Sequence, residues 1–428
     1  MKKIVIHQAN QMITMRGASE QPKIGEAMSD LGIIENGSLA MEGGKIVAIG
    51  TKEEVERFIV QNWGNEDVEE VNALGKIVLP GFIDPHTHLV FAGSREYELE
   101  MRLNGASYLE ILQAGGGILA STRMTRAASE AALVEDTWSR LNRFLLQGVT
   151  TVEAKSGYGL TLEDELKQLR AAKQLAQKHP LDVVSTFMGA HAVPTEYKED
   201  PEAYIKLVIE EMMPKVAAEN LAEFCDVFCE AGVFSVEQSE RILEAGKKHG
   251  LIPKVHADEI KPLGGAELAA KVGAVSADHL LQASDEGIQA MAEAGVVAVL
   301  LPGTAFYLMA PYARARDMIA AGVPVALSTD RNPGSSPTES LQLIMNLACL
   351  NMKMTPAEVL TATTINAAHA IGRAKEVGSL EVGKAADVII MDAPNYAMLQ
   401  YNFGTNFVES VLKNGEFVVK DGQLCFNT

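Results

Sequence analysis

The hydrophobic pattern of this 428-residue chain changes its period twice. The first 80 residues alternate in short apolar runs, which reads as strands with turns. Lys3–Ala9, Gln11–Met15 and Val71–Leu79 are such runs, the last interrupted at Gly75. Residues Gly37–Gly50 read as strand, Gly43-Gly44 turn, strand. Short strand-like runs return in the last 45 residues, at Ala386–Met391, Val408–Lys413 and Glu416–Lys420. Asn414-Gly415 and Asp421-Gly422 suit the positive φ angles of tight hairpins. Between these ends the pattern switches to alternating strand and helix. Eight runs predict strands at Ile77–Ile83, Thr150–Ala154, Val183–Met188, Phe224–Phe228, Ile252–His256, Ala274–Ala277, Val296–Leu301 and Pro324–Ser328. Amphipathic stretches such as Leu162–Lys178, Pro201–Ala218, Val236–His249, Gly265–Val272, Ser284–Ala294 and Ala313–Ala321 lie between them.

That order predicts parallel strands with crossover helices, and eight of them predict an α/β fold, a closed TIM-like (β/α)8 barrel. An open doubly wound sheet competes, but it would bring a Gly-rich phosphate loop after an early strand. Gly115-Gly116-Gly117 has no strand leading into it. The expected organisation is a small β-sandwich domain from residues 1–79 and 380–428, with the barrel in 80–379.

Composition narrows the function classes. Lys plus Arg is 37 against 56 for Asp plus Glu, a net charge of −19. A nucleic-acid binder needs a basic face, so none is expected. An anionic small molecule is not excluded, because salt screens a distant field over about 8–10 Å and one local Arg can outweigh it. No apolar run reaches the roughly 18–20 residues of a membrane helix, and the start shows no secretory signal. The four cysteines, Cys225, Cys229, Cys349 and Cys425, are too sparse for a disulfide framework, and a reducing cytoplasm is the simplest setting. Cys225 and Cys229 read as buried thiols rather than soft metal ligands.

The chemistry concentrates at strand ends. His86, His88, His191, His256, His279 and Asp330 each fall at or just past the carboxyl end of a predicted barrel strand, where barrel active sites gather. His7, His179, His249 and His369 lie on helices or terminal strands and read as ordinary core or surface histidines. In Asp84-Pro85-His86-Thr87-His88 the two imidazoles are two apart and face one side. Three histidines and an aspartate at such ends supply N and O donors that suit Zn²⁺ or Fe, with a position left for water.

The order H-x-H, His, His, Asp, flanked by terminal β segments, resembles the amidohydrolase superfamily over essentially the whole chain. The resemblance implies His86, His88, His256 and Asp330 as ligands of one divalent or trivalent metal per subunit, zinc or iron, with His279 beside the attacking water. Lys155 is not where a metal-bridging lysine would stand and reads as a solvated or hydrogen-bonding one. The segments His88–Glu96, Ala114–Ile118, Lys155–Leu160, Phe187–His191, His256–Glu259 and Asn332–Pro337 are similar to amidohydrolases that open the ring of 4-imidazolone-5-propanoate in histidine degradation, giving N-formimidoyl-L-glutamate. This implies Glu259 as general base and then acid, assisted by Asp330 and His279. It implies Arg95 as the fork for the carboxylate tail, Tyr158 and His191 against the ring, and Asn332, Gly334 and Ser335 holding substrate or product. Without the resemblance, Gly334 reads as a turn residue and Ser335 as a helix cap. It further implies a homodimer. Arg331 departs from the pattern, which has an aromatic residue there, and places an extra cation near the mouth. The rival readings are a cyclic-amidine or nucleobase deaminase, which has no need of Arg95, and a non-catalytic metal-binding barrel, which would lack Glu259 or Asp330.

Overall fold

The computed structural model describes residues 2–64, 66–106, 110–111 and 114–426. Eight parallel strands form the barrel: β6 (Phe82–Asp84), β7 (Val149–Lys155), β8 (Asp182–Ala190), β9 (Phe224–Cys229), β10 (Ile252–Ala257), β11 (Ser276–His279), β12 (Val297–Leu300) and β13 (Val325–Leu327). Neighbours in sequence are neighbours in space throughout. The ring closes between first and last strands through a parallel bridge of Thr87 with Arg331. The Asp84 carboxylate reinforces this seam, accepting from Thr329 Oγ1 at 2.6 Å and from the Ser328 hydroxyl.

Period-2 alternation explains the layering. Val152 and Ala154 of β7, and Val255 and Ala257 of β10, pack outward in the large core shared with the helices. Glu153, Lys155, Lys254 and His256 occupy the intervening positions and meet inside the ring. Helix Leu162–Lys178 starts on its Thr161 cap as its amphipathic pattern predicts. The predicted helix Pro201–Ala218 is interrupted by a π turn at Val208–Met212, just before Pro214, which lacks an N–H for the α-helical ladder.

A second, mixed sheet is drawn from both chain ends: β1 (Lys3–Met12), β2 (Ile34–Glu42), β3 (Lys45–Thr51), β4 (Glu69–Asn72), β5 (Ile77–Pro80), β14 (Val388–Met391), β15 (Val408–Lys413), β16 (Glu416–Lys420) and β17 (Gln423–Leu424). Its order is β17-β16-β15-β14-β5-β1-β2-β3, with β4 also on β1. A bridge between Lys45 and Ala385 curls it over, enclosing Ile4, Met12, Leu39, Val388 and Leu412. Helix Lys52–Asn62, which the strand pattern of this region does not announce, starts at a Thr51–Glu54 capping box and covers the other face through Val55.

The predicted strand Ile77–Ile83 is divided. Ile77–Pro80 pairs in the mixed sheet and Phe82–Asp84 in the barrel. Gly81 sits at the division, where a Cβ would lie 2.1 Å from Thr150 Oγ1. One chain segment therefore passes directly from one sheet into the other and ends at the histidine pair. Buried Lys413 adds a second link, with Nζ 2.5 Å from Asp387 and 2.6 Å from Asp182. No described helix is long and apolar enough to cross a membrane, and all four cysteines are free thiols, Cys225 and Cys229 being buried.

Candidate active site

The strand ends converge on a cavity of about 400 Å³. It is lined by His88, His256, His279, Glu259 and Asp330 at one end and by Arg95, Tyr158, His191, Asn332, Gly334 and Ser335 around the rest. His86 lies just beneath, fully buried. The residues expected from the sequence to hold metal, substrate or proton thus lie in or against a single chamber. Several supporting backbone positions are left-handed without being glycine: Asp258, His279, Leu280 and Asp330 have φ of 49°, 74°, 61° and 52°. Such positions are unmarked in sequence. At Asp330 the conformation is held by Thr304, whose Oγ1 donates to Oδ2 at 2.6 Å, and by Asn332 Nδ2, which donates to the Asp330 carbonyl at 2.8 Å.

The imidazoles are aimed by carboxylates. His86 Nδ1 is 2.6 Å from Asp278 Oδ2, and His256 Nδ1 is 3.0 Å from Asp226 Oδ2. An ionised carboxylate only accepts, so each Nδ1 carries the proton and each Nε2 presents a lone pair inward. His88 Nε2 lies 3.2 Å from His256 Nε2. Asp330 Oδ1 is 3.5 Å from His86 Nε2 and 3.9 Å from His88 Nε2. Among the described residues His86 Nε2 is buried without a hydrogen-bond partner. Those facts fit a cation. Ligand atoms 2.0–2.1 Å from a tetrahedral Zn²⁺ stand about 3.3 Å apart, close to these separations. The groups His86–His88–Asp330 and His86–His256–His279 both have the spacing of metal donors. A third such group, His86–Glu153–Asp278, is already filled by the Lys155 ammonium, 2.9 Å from Glu153 and 3.4 Å from Asp278.

Electrostatics keep three of the imidazoles neutral, while for His256 burial is outweighed by Asp226, which raises it above the ordinary histidine value. Burial, with nearby positive groups, holds His86, His88 and His279 well below the usual histidine range. Burial would raise Asp226, but His256 and Lys155 hold it well below its ordinary value. Burial pushes Asp330 up to about 6. Burial, with Asp330 alongside, pushes Glu259 up to about 8. Glu259 Oε1 is 3.7 Å from His279 Nδ1, so this carboxyl and the histidine share one edge of the cavity.

The far end is cationic but compensated. Arg95 Nε and Nη2 donate to Glu98 at 2.7 and 2.8 Å, and the guanidinium lies over Gly334. A Cβ on Gly334 would sit 2.2 Å from Arg95 Nη1. Gly334 sits in a turn, as its sequence suggests, without a positive φ; what it supplies there is room for the guanidinium. Asn332 Oδ1 accepts from the Gly334 and Ser335 backbone N–H groups, each at 2.8 Å, which shapes this wall. Ser335 caps no helix; the next helix, Leu341–Met352, is capped by Ser340. Tyr158 rides on a loop whose N–H groups at Gly157, Gly159 and Leu160 are held by buried Glu165. His191 stacks on His88 with centroids 4.7 Å apart, and burial pushes it down to about 3.

Two sequence expectations change here. Arg331 does not add a cation to the chamber; it turns away, with Nε 2.9 Å from Glu339 and its guanidinium 5.3 Å from the Phe91 ring centroid. Lys155 is hydrogen-bonding, as one of its two readings had it, but it is not solvated, being wholly buried. Glu98 and the apolar wall of Ile118, Phe228 and Leu308 join the site from the structure alone, as do Asp226 and Asp278 behind the imidazoles. Asp226 carried a usable signal, a lone acid inside the apolar run Phe224–Cys229.

Comparison with known proteins agrees with this geometry. The sequence profile of the amidohydrolase family matches residues 77–418. An imidazolonepropionase of Shouchella clausii is 64% identical over 99% of this chain and 95% of its own length. One of a Geobacillus species is 61% identical over 100% of both chains. Among solved structures, a zinc-bound adenosine deaminase from Xanthomonas campestris superposes with a TM-score of 0.71, covering 100% of this chain and 95% of its own, at 17% identity, a likeness of fold alone.

Proposed function

The chain belongs to the amidohydrolase family, and from that premise we propose that it hydrolyses the cyclic amide C–N bond of 4-imidazolone-5-propanoate, yielding N-formimidoyl-L-glutamate in histidine degradation. The observation that carries this reading is the chamber itself, with metal-type donors at one end and a buried guanidinium at the other. We assign His86, His88, His256 and Asp330 to one cation, zinc or iron. When bound, such a cation would act as a Lewis acid, lowering the pKa of water toward about 7 and polarising a carbonyl.

The protein's own groups do the rest. Arg95 offers its guanidinium to the propionate tail, and Glu98 fixes the plane of that group. Tyr158 and His191 flank the ring, and Asn332, Gly334 and Ser335 close the wall beside the tail. Glu259 takes the proton of the attacking water and returns it to the departing ring nitrogen. A carboxyl raised to about 8 by burial is poised for both directions near neutrality, and positive charge held among the imidazoles draws it downward. His279 donates to the oxygen on which negative charge develops, and Asp330 shares the water's proton. We further propose a cytoplasmic homodimer acting on a small molecule with a carboxylate tail, with no nucleic-acid or membrane partner. The acidic balance and the family resemblance support that.

The test is metal analysis paired with a spectroscopic assay on 4-imidazolone-5-propanoate. The expected result is about one metal per chain and ring opening without ammonia. Ammonia release from a cyclic amidine or a nucleobase, with imidazolone propionate untouched, would replace this reading with the deaminase one.

A further inference from the structure

Beneath the chamber lies a charged layer that the reaction does not use. Glu153, Lys155, Asp226, Lys254 and Asp278 have side chains with 0% exposure. The Lys155 ammonium has three donors. They meet Glu153 Oε2 at 2.9 Å, Asp226 Oδ2 at 2.7 Å and Asp278 Oδ2 at 3.4 Å. Two of those oxygens are the very atoms that orient histidines. Asp226 Oδ2 also faces His256 Nδ1, and Asp278 Oδ2 also faces His86 Nδ1. His86 follows the first barrel strand and His256 ends the fifth, on opposite sides of the ring. Lys155, at the end of the second, touches both orienting carboxylates.

We propose that Lys155 is a positioning residue for the metal site, its ammonium locking Asp226 and Asp278 so that His256 and His86 present Nε2 to a single point. The inference rests on the ligand assignment above. Without this ammonium, buried carboxylates face one another uncompensated and turn apart, and each imidazole follows its own. Burial would lower Lys155, but the three carboxylates around it raise it above the ordinary lysine range. Its ammonium is already surrounded by Glu153, Asp226 and Asp278, which leaves no free amine to carboxylate and fits a single metal.

Lys254 provides the nearer comparison, since its charge acts on Asp278 without pairing with it. It is equally buried, but its Nζ lies 2.8 Å from Glu153 and 3.2 Å from the Pro85 carbonyl oxygen, and it forms no ion pair with Asp226 or Asp278 among the described residues. The full-length protein, stripped of metal, is titrated with Co²⁺ and followed by visible absorption. Lys155→Met is expected to bind Co²⁺ about 10–100-fold more weakly with an altered absorption band, and Lys254→Met within about threefold of the parent with the parental band. Equal loss in both variants, or a parental spectrum and affinity in Lys155→Met, overturns the assignment. If Lys155→Met does not fold, Lys155→Gln is read in the same way. Failure of both to fold while Lys254→Met folds also overturns it, since the ammonium would then hold the barrel and not the ligands. A parent protein that takes up no Co²⁺ refutes the metal site itself, a result distinct from any of these.

Discussion

The two sheets of this chain bury their inner faces in opposite ways. The mixed sheet encloses Ile4, Leu39, Val388 and Leu412, side chains that gain from leaving water and ask little of direction. The barrel encloses Glu153, Lys155, Asp226, Lys254 and Asp278. A buried ion pair adds little net stability, because desolvation offsets its Coulomb attraction. What it adds is orientation, and the histidines above it need orientation. The same alternating backbone thus serves mass in one sheet and aim in the other.

The comparison can be broken by substitutions whose effects fall on one side only. The largest effect is expected at the rim of the barrel. Glu259→Gln should lower kcat by about 10²–10⁴ with metal content and thermal midpoint retained; parental turnover on 4-imidazolone-5-propanoate would remove Glu259 as the base. Leu412→Ala in the mixed sheet should do the reverse. It should cost about 2–5 kcal/mol in denaturant unfolding, while kcat/KM per folded molecule stays parental. A drop in kcat/KM there would mean that the two interiors are not separable.

Arg95→Ala sharpens the contrast within the chamber. Losing a charge-assisted bond to the tail should reduce kcat/KM for the natural substrate by about 10–100-fold, and far less for an imidazolone lacking the propionate. Equal loss on both substrates would end the clamp assignment. The smallest effect lies where barrel and mixed sheet meet. His179 packs edge-on against Trp138 and Phe426, and burial pushes it down to about 4. Its unfolded value is about 6.5, so between those values the unfolded chain binds more protons and stability rises with pH. Its full contribution is present above about pH 6.5 and is lost as pH falls toward 4, about 2 kcal/mol or less by pH 5. Denaturant melts at pH 7.5 and 5 should show the difference, and His179→Gln should flatten it.

What the sequence disclosed follows the same division. Strand ends are legible because apolar runs stop at polar residues, so His86, His256, His279 and Asp330 stand out along the chain. The partners that aim them are not, because Asp226 pairs with a lysine 71 positions away and Asp278 with a histidine 192 away. Lys155 looks the same in sequence whether solvated or buried; only three carboxylates from three strands decide it. Glu98 is hidden among the acids of helix Glu96–Leu103; its pairing with Arg95 is local, but its other partner, the Gly117 N–H, comes from a loop 19 positions on. Arg331 is anomalous in sequence and harmless in space, since its side chain lies against Phe91 and Glu339.

The passage through Gly81 bears on how this molecule can be handled. Residues from the extreme ends of the polypeptide brace the stretch that delivers His86 and His88, so trimming either terminus to obtain a smaller catalyst removes the scaffold of two proposed ligands. A tag or fusion partner belongs beyond the terminal strands, and a deletion series from either end should lose metal uptake before it reaches the barrel's first residue.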